Sequence, residues 1–347
     1  MNSILQKSNE EAIFNVYLYL AHKITPIKYE TFSSIISRTE SILKKLSPRE
    51  IYRLNLLKNY LKTNKNIANS KLIDFTYSKD GLTACVFIKP NGSISVIFKG
   101  TGGGEWIDNG EGLSGIPQEN TYLTYKNNKN IIFSQTIYKD FATEQQVEAL
   151  NWFYGILAQN HLNNTAEIIV SGHSKGGNKA QFVAMHVDFI KYCFSFDGQG
   201  FSPEAVLAFK KLYSNTYEKR RSRIYSLSAA NDYVNVLGER ITPENNIYFF
   251  ESKGGLHNIE AILDNSGFLR PQINQGKLSK YAQNLSDRIM TMNPEIRQHA
   301  TLGIMNIFQK YVGRGTPVNG DFVSSEKTIA GIGIAATAFL NQLIKNT

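Results

Sequence analysis

The sequence predicts an α/β fold, a mostly parallel sheet with helices on both faces and helical extensions at its N- and C-terminal ends. Short β-rich runs alternate with runs of helical period between residues 167 and 251, the order that builds parallel strands joined by crossover helices. Asn91-Gly92 stands between two further β-rich runs, a strong hairpin signal. Ser174, framed by glycines, falls between one strand and the helix that follows it. A tight strand-to-helix turn of this kind belongs at the carboxyl edge of such a sheet.

Each element has its own warrant. Over 9–69 apolar residues recur at helical spacing, as in Ile13, Val16, Tyr17 and Leu20, and Ser47-Pro48 with Glu50 opens a further helix like a capping box. From residue 72 the period changes, and runs 83–88 and 93–98 flank Lys89-Pro90-Asn91-Gly92 as the hairpin. Residues 100–117 are glycine-rich and read as a loop whose backbone bends sharply or approaches something closely. A helix over 144–158 follows, then a strand over 167–171 and a helix carrying Ala180, Val183, Ala184 and Val187. The alternation continues with a strand over 192–196, a helix over 203–213, and strands over 223–227 and 247–251. From about residue 277 the pattern is helical again. The expected organisation is an N-terminal helical extension over 1–71, a core over 72–270 and a C-terminal helical extension over 271–347.

Composition sets the class. With 347 residues, 42% hydrophobic, 12% aromatic and 19% charged, the chain has enough apolar mass for a large core and is not of disordered type. Cys85 and Cys193 are too few and too far apart for a disulfide framework, a metal site or a redox pair, and read as buried thiols. The 38 basic residues exceed the 29 acidic ones by nine, a net charge of +9 that favours anionic partners such as nucleic acid or an acidic lipid surface without choosing between them. The cluster Lys219, Arg220, Arg221 and Arg223 reads as a solvated helix end before a strand, with anionic head groups or nucleic acid as the alternative partners. It has no interleaved aromatic residue, and no nucleic-acid partner is expected. Residues 1–11 lack the basic-then-apolar order of a signal peptide, and the apolar run 329–340 is short of the roughly 20 residues of a membrane span. A cytoplasmic protein, or one exported by a route without a signal peptide, is expected. An exported toxin would call for a neutralising protein partner.

The chemistry centres on Gly172-His173-Ser174-Lys175-Gly176-Gly177. A serine on so sharp a turn needs small residues two before and two after it, here Gly172 and Gly176, and the following helix aims free N–H groups at developing negative charge. Ser174 is therefore the candidate nucleophile. Its weak hydroxyl needs a base oriented by a carboxylate, in chain order Ser, Asp, His for this turn. Asp232, just past the 223–227 strand, and His257, after the next strand, supply that order. Asp197 is the alternative acid, and His173, His186, His161 and His299 are alternative bases, each with a plainer reading as a turn, helix or packing residue. The Lys175 N–H is one oxyanion donor, and Thr101, where strand 93–98 runs into its glycine turn, offers the second. Gly102-Gly103-Gly104 lacks the Lys-Ser/Thr end of a phosphate-binding loop. The side chain of Lys175 reads as a solvated charge at the site mouth, with a lipid phosphate as the alternative partner.

Phe98-Lys99-Gly100-Thr101, then Glu105-Trp106-Ile107-Asp108, the Ser174 turn and Asp232-Tyr233-Val234 together resemble class 3 lipases. The chain looks closer still to their bacterial lipase-like relatives of unassigned function, which carry lysine directly after the serine and a Phe-x-Gly-x-Gly-Phe-like segment, here Phe196-Asp197-Gly198-Gln199-Gly200-Phe201. The resemblance covers roughly residues 72–263. It departs from class 3 lipases at Lys175, usually Leu or Met, at Asn235, often Pro, and in a shorter stretch from acid to histidine. It implies an α/β-hydrolase fold, Ser174, Asp232 and His257 as the triad, and Thr101 with Lys175 at the oxyanion hole. The implied activity is hydrolysis of carboxylic esters of lipids, a lipase or phospholipase A needing no metal or organic cofactor, with residues 102–117 and the helical extensions as candidates for a lid. The alternative is a non-catalytic module that binds lipid or protein.

Overall fold

The computed structural model describes residues 3–78, 81–100, 106–115, 123–127, 130–135, 141–160 and 166–311. Thr101, the glycines 102–104, His161 and the apolar run 329–340 lie outside the described residues. Four helices open the chain: α1 (Ser3–Leu18), α2 (Phe32–Glu40), α3 (Pro48–Thr63) and the short α4 (Lys65–Ala68). Ser47 and Glu50 close the capping box on α3. Three antiparallel strands follow, β1 (Lys71–Thr76), β2 (Ala84–Ile88) and β3 (Ile94–Phe98). Next come α5 (Trp106–Ser114), a separate hairpin of β4 (Leu123–Asn127) and β5 (Asn130–Gln135), and α6 (Glu144–Gln159).

The alternating part is β6 (Ile168–His173), α7 (Lys175–His186), β7 (Tyr192–Phe196), α8 (Pro203–Leu212), α9 (Tyr217–Arg221), β8 (Ile224–Ala229) and β9 (Ile247–Phe250). A two-residue strand β10 (Gln272–Ile273) and the helices α10 (Lys277–Met290) and α11 (Pro294–Tyr311) end the described chain. One eight-stranded sheet runs β1-β2-β3-β6-β7-β8-β9-β10. Strands β3, β6, β7, β8 and β9 are parallel neighbours, with antiparallel β1, β2 and β10 at the edges. This is an α/β fold, a mostly parallel sheet covered by helices on both faces.

Side chains alternate across the sheet and fill two cores. On one face Ile97, Ile169, Phe194, Phe196 and Leu227 pack under the N-terminal helices, where the Phe14 and Phe87 rings stack at 4.6 Å. On the other, Val96, Phe98, Val170 and Cys193 pack under α6, α7 and α8. The N-terminal helices thus form one whole covering layer. Charge is buried there too: Glu11 accepts hydrogen bonds from Lys89, Ser95 and Ser171 beneath the central strands.

Three expectations need correction. The glycine-rich stretch read as a loop holds α5, because Gly110 lets it lie against α11, where an added Cβ would stand 3.0 Å from the Leu302 side chain. Tertiary packing here overrides the poor helix propensity of glycine. The basic cluster is not a solvated helix end: Arg223 donates to the carbonyls of Ala184, Val187, Asp188 and Ile190, capping the carboxyl end of α7. Arg220 donates to the Met185 carbonyl and Arg221 to that of Ile241. Third, β1 forms a strand where the sequence showed no more than a change of period, while α9 carries the helix whose end the basic cluster marks.

His186 pairs with the Tyr213 hydroxyl at 2.7 Å inside the α7–α8 packing. Burial, aided by nearby Arg220, pushes its imidazole down to about 3. Unfolding returns it to the ordinary value of about 6.5. The unfolded chain then binds the proton first, so stability is full above pH ~6.5 and is lost as pH falls toward 3. The drop in unfolding free energy between pH 7 and pH 4.5 is expected to shrink by about 2 kcal/mol in His186→Gln. Urea titrations at the two pH values check this; an unchanged difference would rule it out.

Candidate active site

Ser174 joins β6 to α7 with φ of +59° and ψ of −128°, left-handed backbone that a non-glycine residue adopts at a cost. The turn closes because its neighbours lack side chains. A Cβ on Gly172 would lie 2.1 Å from the Gly176 carbonyl oxygen, and one on Gly176 would lie 2.0 Å from the Phe98 carbonyl oxygen. The Ser174 N–H donates to the Phe196 carbonyl at 2.8 Å, tying the turn to β7. Its hydroxyl therefore rises at the carboxyl edge of the parallel strands.

Two loops from that edge complete a hydrogen-bonded chain. His257, beyond β9, places Nε2 2.9 Å from Ser174 Oγ and Nδ1 2.6 Å from Asp232 Oδ2. Asp232, beyond β8, is fully buried, and its other oxygen accepts the N–H groups of Val234 at 2.8 Å and Asn235 at 2.7 Å. The carboxylate is thereby held in one orientation. With Nδ1–H donating to Asp232, Nε2 is left to accept the Ser174 proton. The Lys175 N–H opens α7, in the first turn where helical amides have no intrahelical acceptor. The end of β3 also reaches the nucleophile, since a Cβ on Gly100 would stand 3.0 Å from Ser174 Cβ.

A second imidazole and carboxyl lie below. His173 bonds through Nδ1 to the Tyr19 hydroxyl at 2.7 Å, its Nε2 is 3.6 Å from Asp197 Oδ2, and its ring centroid is 4.9 Å from that of His257. Burial, then the neighbouring His257, holds His173 well below its ordinary range, so it stays neutral. Burial and the nearby Asp232 carboxylate push the Asp197 carboxyl well above the usual range. Among the described residues, His173, Asp197 and His257 have donor atoms within 4.8 Å of one another. Because His257 already faces Ser174 and Asp232 through its two nitrogens, the group belongs to the serine site rather than forming a metal cage.

Above Ser174 and His257 opens a cavity of about 260 Å³, walled by apolar side chains including Trp106, Leu113, Leu237, Leu285, Ile289 and Met305. Trp106 and Leu113 come from α5, the next two after Leu237 from α10, and Met305 from α11. Tyr233, whose ring lies 5.8 Å from that of His257, also lines the cavity and is partly exposed.

A model of the Mbeg1-like family matches residues 125–229, a segment that holds Ser174 and stops short of Asp232 and His257. No curated protein matches the chain. Solved structures that are similar include the Rhizomucor miehei lipase propeptide complex, at 12% identity and a TM-score of 0.38 over 68% of this chain, which spans 64% of the length of that one. Lipase II from Rhizopus niveus is 14% identical with a TM-score of 0.38, over 74% of this chain and 84% of that one. Lip2 lipase from Yarrowia lipolytica is 12% identical with a TM-score of 0.36, over 66% and 79%.

The structure brings Ser174, His257 and Asp232 together and leaves the alternatives elsewhere. Asp197 turns to His173 and to the Ala229 N–H, not to His257. His186 is packed against Tyr213, and His299 sits on α11 outside the cavity lining. Lys175 corrects both readings of its side chain: it is fully buried, and Nζ contacts Asp108 Oδ2 at 2.5 Å. Its first-turn position in α7 directs it down toward α5 rather than out to solvent. Trp106 lines the cavity, whereas Trp152 packs on Phe98. Sequence reasoning missed Tyr19 and gave Asp108 no role beyond its place in a motif, and α10 and α11, from the extension offered as a lid candidate, line the cavity. The helical spacing of Leu285 and Ile289 is the signal that points to a buried stripe, though it does not say what the stripe faces.

Proposed function

We propose that this protein is a serine hydrolase that cleaves carboxylic esters of lipids, as a lipase or phospholipase A. The observation that carries the reading is one continuous chain of hydrogen bonds, Ser174–His257–Asp232, opening onto an apolar cavity. Ser174 Oγ attacks the ester carbonyl as His257 Nε2 takes its proton, and Asp232 steadies the imidazolium that forms. The oxyanion of the tetrahedral intermediate is stabilised by the Lys175 N–H, with Thr101 as the second donor. His257 then protonates the departing alcohol, leaving an acyl-enzyme, and activates the water that releases the acid. The cavity would hold one acyl chain, and the net charge of +9 favours an anionic lipid surface as the source of substrate. Among the described residues no helix is long and apolar enough to cross a membrane.

The test is labelling with a fluorophosphonate, with mass spectrometry locating the adduct. The expected result is one adduct, on Ser174, absent in Ser174→Ala. A folded protein that takes no label, with or without detergent micelles, would return the chain to the non-catalytic reading.

A further inference from the structure

Lys175 and Asp108 form a buried ion pair under the site that the ester-hydrolase reading does not use. A cation in the first turn of a helix sits at the positive end of the helix dipole, and a buried lysine is costly unless paired. Asp108 offsets both. Lys175 Nζ meets Asp108 Oδ2 at 2.5 Å and the Asp108 carbonyl at 3.3 Å. The same carboxylate accepts from the Thr143 hydroxyl at 2.9 Å and the Gln145 N–H at 3.3 Å, at the start of α6. One carboxylate thus joins α5, α6 and the helix of the nucleophile.

The other side of α5 is held as firmly. Gly110 seats it against Leu302 and Met305 of α11. At its end the buried Arg297 guanidinium donates to the Ser114 carbonyl at 3.0 Å and the Met290 carbonyl at 2.8 Å, and contacts Glu204. Between these fastenings Trp106, Asn109 and Leu113, at helical spacing, face the cavity. An element fastened on two faces and at one end is a wall.

We infer that Lys175 is a positioning residue for substrate: through Asp108 its side chain clamps α5 as a fixed wall of the acyl cavity, so that α5 is not a lid opened at an interface. The inference rests on Ser174 as the nucleophile for its kinetic consequence, and not for its structural one. No opening of α5 precedes the chemistry.

Two measurements test this on the full chain. Hydrogen exchange over residues 106–114 is expected to be slow and unchanged by detergent micelles. Fluorophosphonate labelling of Ser174 is expected to proceed at the same rate within about twofold in both conditions, in line with an interface whose backbone is pre-formed. The double variant Lys175→Met, Asp108→Asn removes both charges together, which avoids an unpaired buried ion. In it, exchange over 106–114 should quicken, and KM for a p-nitrophenyl octanoate relative to the acetate should rise on the order of tenfold. A pair that supplied only stability would shift the melting temperature and leave that KM ratio alone, overturning the inference. Wild-type exchange that quickens with micelles, or labelling that requires them, overturns it too while leaving the hydrolase reading intact. No label in any condition removes the hydrolase reading, and exchange alone then decides whether the clamp exists.

Discussion

Replacing His257 with alanine is expected to lower kcat for a short p-nitrophenyl ester by roughly 10⁶-fold, about as much as Ser174→Ala, because the two act as one unit. Among the described residues His257 is the only side chain bonded to Ser174 Oγ, at 2.9 Å, and the only imidazole aimed at it. Asp232→Asn should cost about 10⁴-fold, since the amide leaves the ring in the wrong tautomer while keeping its place. Asp197 supplies the internal contrast. It is as buried as Asp232 and close enough to raise its own proton affinity, yet it faces His173, so Asp197→Asn should stay within about tenfold of wild type. Purified variants with unchanged melting curves, assayed at saturating ester, settle the order of effects. Equal losses in Asp197→Asn and Asp232→Asn would show that the acid has been assigned to the wrong carboxylate.

Gly176→Ala is expected to have the largest effect on folding, a loss of more than roughly 4 kcal/mol. The new methyl would stand 2.0 Å from the Phe98 carbonyl oxygen and 2.8 Å from the Lys99 carbonyl carbon. Both are main-chain atoms, one of them in the last residue of strand β3, and neither has a rotamer to yield. Relief would require β3 and α7 to separate, opening the core on that face. Gly92→Ala is the control: its φ is +81° with nothing within 4 Å of the added carbon, so the cost is the left-handed backbone alone, about 1 kcal/mol. Urea unfolding of both variants should separate them clearly. A Gly176→Ala protein as stable as Gly92→Ala would mean that the turn is looser than its contacts require.

The sequence by itself determined what depends on neighbours along the chain. The strand, turn and helix around Ser174 are legible because left-handed backbone at one residue demands glycine at fixed offsets, and Gly172 and Gly176 meet that demand. Asn91-Gly92 fixed the hairpin of β2 and β3 for the same local reason. The parallel sheet followed from alternation, and with it the carboxyl edge where Asp232 and His257 had to lie. Their pairing was legible only as an order in the chain. Which carboxylate bonds the imidazole was decided in three dimensions, by loops that turn Asp232 toward His257 and Asp197 toward His173.

The tertiary structure alone decided the fates of the charges and glycines. Lys175 and Arg223 look like solvent-facing cations in sequence, but burial depends on which surfaces meet, and the same holds for Arg297. Lys175 meets Asp108 from 67 residues earlier, and Arg297 meets the Ser114 carbonyl from 183 residues earlier. The helix α5 was hidden for the same reason. Its glycines lower intrinsic helix propensity, and the close packing on α11 that repays it is invisible until α11 is in place. Local backbone rules act over a few residues and can be read there, whereas desolvation and packing belong to pairs of distant segments.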